Sequence, residues 1–255
     1  MAFAVRCHAL VQARRGRSGS RQALLYASRV RIRSAAQALR NGRRPIRLGS
    51  FGSTEPVGSH WGYDRGEPVD RWYINRFLES NSRDITGRVL EVKDSAYTDR
   101  FGHDVSASSV LDIDAGNERA THVADLATGG GLDDSAFDCF VLTQTLQFIY
   151  DVPGALAQAH RILRPGGVLL LAVPVTSRVC EQPLTDYWRF TGLAVERLLA
   201  DAFPGGAVTV HSHGNVLAQV AFLEGLAAED LTHADLERDD ARFPLIVCAR
   251  AVKGA

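Results

Sequence analysis

Four polar positions stand where apolar runs end: Glu91 in "GRVLEV", Asp112 in "SSVLDID", Asp125 in "VADLA", and the Thr143–Gln144 pair closing "FDCFVLTQ". A carboxylate can accept two hydroxyl protons at once, so an acid at the end of a second strand suits a ribose diol. Each of these residues alone has an ordinary reading as a helix cap or turn residue. Their order along the chain points to a ligand laid across strand ends.

Other residues could act on such a ligand. His211 and His213 bracket the end of a late strand, and Asp186 lies in "TSRVCEQPLTDYWRFT"; a histidine or an aspartate there could serve as a base. Tyr187, Trp188 and Arg189 in the same loop, with Trp61, Tyr63 and Arg65 in the glycine-flanked "GSHWGYDRG", are substrate-pocket candidates. The plain alternatives remain: surface or core histidines, packed aromatics, and an arginine paired with an acid. No His/Cys/Asp/Glu spacing suggests a metal, and none is assigned.

The elements that must position these residues follow from apolar patterning. "GRVLEV", "SSVLDID", "FDCFVLTQ" and "GGVLLLAVP" have the length and composition of buried parallel strands. Between the last two, "DVPGALAQAHRILRPGG" predicts a helix capped by Asp151, with Pro153 in its first turn and Gly166 and Gly167 stopping it. "TGLAVERLLADAF" predicts another, capped by Thr191, and "NVLAQVAFLEGLAAEDL" a third, between late strands "AVTVHS" and "PLIVCARAV". Upstream, Pro68 opens a helix whose Val69, Trp72, Tyr73 and Phe77 share a face. The alternation predicts an α/β fold, a doubly wound, mostly parallel sheet with helices on both faces.

Composition sets the surroundings. The chain has 255 residues with formal charges that balance, but the first 47 residues hold 12 of the 29 basic side chains and no acid. The remainder carries 17 basic against 29 acidic residues. Residues 1–55 read as a basic arm, either solvated or forming an amphipathic helix that docks on an anionic membrane surface or a protein; an Arg-rich, acid-free start also resembles an organelle transit peptide. Residues 56–255 read as one domain. Scattered cysteines and the lack of a long apolar run favour a cytoplasmic protein, with peripheral attachment through the arm as the alternative. Nucleic acid is a disfavoured partner.

"VLEV", "VLDID", "VADLA", "FDCFVLTQTLQFIYD" and "HRILRPGGVLLLAVP", between Gly87 and Pro174, resemble the class I S-adenosylmethionine-dependent methyltransferases, in their small-molecule branch. The resemblance implies a Rossmann-like seven-stranded sheet and S-adenosylmethionine as cofactor. It places Glu91 near the methionine amino group, Asp112 on the ribose hydroxyls, Asp125 and Leu126 at the adenine, and Gln144 beside the methyl donor. "WGYDRGEPVDRWYINRFL", "YWRFT" and "GNVLAQVAFLEGLAAEDL" extend it over residues 56–253 toward bacterial methyltransferase-like proteins associated with glycosyltransferases and polysaccharide synthesis.

One departure stands out. The family's G-x-G-x-G loop falls here on Lys93, Ser95 and Tyr97. Glycine permits positive φ and a close backbone approach to a ligand, so a rerouted loop is expected, with Lys93, Ser95 and Tyr97 offering a cation, a hydroxyl and a ring instead. The resemblance implies O-methylation of a small or carbohydrate-linked acceptor. The competing reading is a non-catalytic domain of the same fold, docking on a glycosyltransferase or a membrane.

Overall fold

The structure is a computed structural model that describes residues 49–180 and 185–254. The expected basic arm lies outside these residues except for its last few positions, where Gly49–Gly52 form a single 3-10 turn.

From Ser53 onward the chain forms one compact unit. Its elements are α1 (Val69–Ser80), β1 (Gly87–Val92), α2 (Ala96–Phe101), β2 (Val105–Asp112), β3 (His122–Val123), β4 (Phe137–Thr143), α3 (Val152–Ile162), β5 (Leu163–Pro174), α4 (Gly192–Ala202), β6 (Ala207–His213), α5 (Val216–Leu223), α6 (His233–Glu237) and β7 (Ile246–Val252). The seven strands are ordered β3-β2-β1-β4-β5-β7-β6, with β7 antiparallel to both its neighbours and the rest parallel. This is the Rossmann-like sheet that the apolar runs predict.

Strand periodicity divides the core into two layers. Along β5, Leu169, Leu171 and Val173 join Leu156 and Ala159 of α3 and Val195 and Leu199 of α4. Val168, Leu170 and Ala172 point the other way, toward Ile74 and Leu78 of α1 and Ala218 and Phe222 of α5. Fully burying each large apolar side chain contributes about 1.5–3 kcal/mol, which makes the sheet centre the rigid part that loops are hung from.

Caps fall where the sequence puts them, Asp151 accepting from Gly154 N at 3.0 Å and Thr191 from Ala194 N at 3.3 Å. Three local features differ from expectation. The third helix ends at Ile162, four residues before Gly166, because Pro165 drives Arg164 out of helical conformation and the R-P-G-G turn becomes the start of β5. The long C-terminal helix breaks at Gly225 (φ +69°), where the backbone crosses Gly58 so closely that a Cβ on either residue would strike a carbonyl of the other. The glycine-free segment folds as α2.

Among the described residues no helix is long and apolar enough to cross a membrane.

Candidate functional site

Strand register brings the predicted residues to one rim. Val92 pairs with Leu111 and Glu91 with Val141, so Asp112, Lys93 and Thr143 follow at one level on β2, β1 and β4. Asp112 and Gln144 are thus separated by two strand spacings, roughly 10 Å.

At the exit of β1, Glu91 is buried and both its oxygens are engaged. Oε1 accepts from Tyr97 N at 3.0 Å; Oε2 accepts from Thr98 N and Thr98 Oγ1, both at 2.7 Å. Burial raises its carboxyl to about 7, against the pull of those three donors. Asp94 takes Ala96 N, at 3.0 Å. The first-turn amides of α2 are therefore held by the protein itself. Lys93 alone adopts the left-handed backbone of the replaced glycines (φ +77°); Ser95 has φ −109° and bonds Asp99, while Tyr97 lies inside the helix. The loop is rerouted by early helix formation, so only one of the three positions carries strain.

At the exit of β2, the Asp112 carboxylate turns the following loop, accepting from Asp114 N at 3.0 Å and from Asn117 Nδ2 at 2.7 Å. Asn117 also holds the Lys93 carbonyl, at 2.8 Å. A carboxylate has about four acceptor positions, so Asp112 retains capacity for a diol. Asp125 is exposed, with Oδ1 accepting from Ala127 N at 2.8 Å, while the Leu126 side chain is in the core and only its backbone faces the rim loop.

At the exit of β4 lies a chain that sequence reasoning did not find. Gln147 Nε2 donates to Gln144 Oε1 at 3.1 Å, and Gln144 Nε2 donates to Asp70 Oδ2 at 2.8 Å. Asp70, in the first turn of α1, is 6% exposed, and burial raises its carboxyl above the ordinary range, Arg71 and Gln144 opposing. Gln147 is equally buried, and its Oε1 has no hydrogen-bond partner among the described residues. The only sequence signal for Asp70 is an acid one residue past Val69, on a helix whose apolar residues go nearly all the way round.

The covering loops are clasped together. Tyr187 N and Trp188 N donate to the Gln147 carbonyl, at 2.8 and 3.2 Å, and Trp188 Nε1 reaches Ile149 O at 3.1 Å. Tyr187 and Trp188 stay exposed beside Tyr150, with ring centroids 5.3 and 5.9 Å from it. Arg189 is paired with both oxygens of Asp186 and also donates to Arg178 O at 2.8 Å. Arg178 stacks 3.5 Å over Trp61 and donates to Ser59 O. Arg65 forms a two-pronged pair with Asp230, at 2.7 and 2.6 Å.

Two expectations receive a different physical account. The Asp186 carboxyl is held below its usual range by its bonds to Arg189, and Oδ2 also accepts from Cys180 N at 2.8 Å. An acid so stabilised is a poor base, and its geometry is that of a loop clasp. His213 faces Asp239 at 3.0 Å and stacks on Tyr73, with exposed His211 behind it. Both belong to β6, and β5 and β7 separate that edge strand from β4 by roughly 15 Å in all. Arg65, likewise, is a fastener between its loop and residue 230.

Non-glycine residues with left-handed backbone mark the same rim. There are five among the described residues, and Trp61, Lys93 and Gln144 are three of them. Such strain costs about 1 kcal/mol per residue and collects at functional sites. A cavity of about 390 Å³ between α1 and the far end of α2, lined by Glu67, Asn75, Arg76 and Arg100, lies away from the strand ends. Among the described residues no group of three or more His, Cys, Asp or Glu could hold a metal.

Residues 86–171 match the family model of a methyltransferase domain. The matched stretch runs from β1 into β5 and contains every strand exit described above. S-adenosylmethionine is the cofactor that the sequence resemblance implies for this stretch. Solved structures agree on the fold. A methyltransferase from Thermotoga maritima is 18% identical, with 75% of this chain and 94% of that one covered and a TM-score of 0.50. The cyclase SpnF is 16% identical, with 80% and 88% covered and a TM-score of 0.50. An S-adenosylmethionine-dependent methyltransferase from Mesorhizobium loti is 16% identical, with 75% and 100% covered and a TM-score of 0.49. A search of the curated proteins gives no match.

The donor set fits the cofactor at two of three places. Asp112 has acceptor capacity for the ribose, and the orphaned Gln147 Oε1 needs a donor such as an amine or a hydroxyl. The β1 loop differs, because its amides and Glu91 are already satisfied by one another.

Proposed function

We propose that the protein is an S-adenosylmethionine-dependent methyltransferase that methylates an oxygen of a small, carbohydrate-linked acceptor. The observation that carries this reading is the Gln147–Gln144–Asp70 chain at the exit of β4. It is buried, begins in an unpartnered acceptor, and ends in a carboxyl held above its ordinary range.

The bound cofactor supplies an electrophilic methyl group, and transfer to oxygen is an in-line displacement that depends chiefly on alignment. Asp112 holds the ribose diol. Gln144 and Gln147 fix polar atoms at the methyl-donor end. Asp70 is suited to take the acceptor's hydroxyl proton as the oxygen attacks, a role expected from sequence of His211, His213 or Asp186. The exposed rings of Tyr150, Tyr187 and Trp188 offer apolar faces to a sugar, with polar edges toward water. The glycosyltransferase partner and the membrane surface rest on the arm and on sequence resemblance.

Calorimetry with S-adenosylmethionine tests the reading. Saturable binding that weakens on the order of 100-fold in Asp112→Ala is expected, since two charge-assisted hydrogen bonds are lost. A well-folded sample that gives no heat would favour the non-catalytic docking domain. The satisfied α2 amides are the observation on that side.

A further inference from the structure

We propose that Arg71, Tyr63 and Tyr97 form an anion-binding site beside the strand exits, taking a carboxylate or phosphate carried by one of the reactants. The inference rests on the methyltransferase reading and adds a charge which that reading leaves open.

Three elements converge here. Arg71 follows Asp70 in the first turn of α1, Tyr97 lies in the first turn of α2, and Tyr63 belongs to the loop before α1. Arg71 Nε donates to Tyr63 Oη at 3.1 Å, and Nη1 donates to Tyr97 Oη at 3.4 Å. Each hydroxyl accepts from the guanidinium, so its own hydrogen must turn away from the cation. Among the described residues neither hydroxyl has a further hydrogen-bond partner, and neither does Arg71 Nη2. Two polarised O–H donors and a guanidinium edge are thus gathered at one place, the complement of an oxyanion.

The charge of Arg71 is incompletely answered. Its nearest acid is Asp70, with Oδ2 at 4.0 Å from Nε, and that oxygen already accepts from Gln144. Asp70 is therefore shared between the two side chains and makes no direct hydrogen bond to the guanidinium. Arg71 keeps 28% of its side chain exposed and Tyr63 is largely exposed, so an arriving anion can reach them.

The neighbouring alternatives are weaker. The α2 amides are held by Glu91 and Asp94. Lys93 is exposed and presents a flexible point charge, whereas the Arg71 fork is fixed by two tyrosines.

The anion has two sources, the amino-acid carboxylate of the methyl donor or an acidic group on the acceptor. Full-length protein and its Arg71→Gln, Arg71→Lys and Tyr63→Phe/Tyr97→Phe variants would be titrated with S-adenosylhomocysteine, with 5′-methylthioadenosine, which lacks the carboxylate, and with inorganic phosphate. Circular dichroism would verify folding.

If the donor supplies the anion, Arg71→Gln weakens S-adenosylhomocysteine roughly 10- to 100-fold and leaves methylthioadenosine unchanged. If the acceptor supplies it, both nucleosides bind as before and phosphate binding is lost. Arg71→Lys should fall between, since it keeps the charge without the fork. A purely structural Arg71 would lower the melting temperature while the ratio of the two nucleoside affinities and the phosphate affinity stay constant, and that result overturns the proposal. Wild-type protein that binds neither nucleoside defeats the methyltransferase reading, while the phosphate titration still decides the anion site.

Discussion

The exits of β1 and β4 lie side by side on one rim, and they treat their polar groups in opposite ways. At β1, Glu91 and the first turn of α2 satisfy one another completely. At β4, an ordered chain of amides leads from a buried carboxyl to an oxygen with no partner. A buried polar group left unsatisfied costs about 1–3 kcal/mol, so its persistence needs a reason outside the free protein's stability. The contrast sets a closed joint beside an exit whose polar chain ends in an unpaired atom.

The contrast breaks most visibly at Glu91. Glu91→Ala strands three donors and should lower stability by about 3–5 kcal/mol, measured by urea unfolding. The wild-type carboxyl holds its proton in the folded state to about 7, against 4.5 when unprotected. The native state therefore binds the extra proton between those values, and its contribution is complete below about pH 4.5 and lost as pH rises through about 7. A melting temperature that declines over this window in wild type, and loses that component in Glu91→Gln, is the expected outcome. At β4 the reverse holds: Gln147→Leu should leave the unfolding midpoint unchanged or raised, yet weaken S-adenosylhomocysteine about 10-fold in calorimetry, as expected on losing one well-placed hydrogen bond.

A smaller effect belongs to the clasp. Arg189→Ala frees Asp186 and the Arg178 carbonyl, and should raise the acceptor KM several-fold with cofactor affinity within about twofold, as expected for a partly exposed pair. The smallest is at the sheet's far edge. His213→Asn should cost under about 1 kcal/mol of stability and leave kcat and its pH profile in place. A lost basic limb in that profile would restore the histidine as base and remove Asp70 from the role.

Strand positions were readable because buried parallel strands are short, continuous apolar runs, and β1, β2, β4 and β5 fall on theirs. Asp112 and Gln144 could be placed at strand exits for the same reason, since a strand end is a place on the sequence. Asp70 could not. Its burial follows from α1 packing over the exit of β4, a contact between residues 70 and 144 that no local pattern records. Arg65 and Asp186 were singled out by the loops they stand in, but Arg65 is taken up by Asp230, 165 residues on, and Asp186 by Arg189 three residues away. The histidines do end a strand, but an edge strand whose distance from β4 is fixed by a β7 that enters out of sequence order. The fate of the "KDSAYT" loop depended on Glu91 capping a helix, a choice glycine would have removed.

Gly58 donates its N–H to Glu224 O, Ala228 N reaches back to Glu67 O, and Pro68 bridges to Ala227. The loop bearing Tyr63 is thus fastened to residues made more than 150 positions later. A nascent chain that has emerged only as far as its first five strands lacks residues 224–230, so the loop ahead of α1 has nothing yet to fasten to. One wall of the rim is thus set by contacts that form late, after most of the sheet exists.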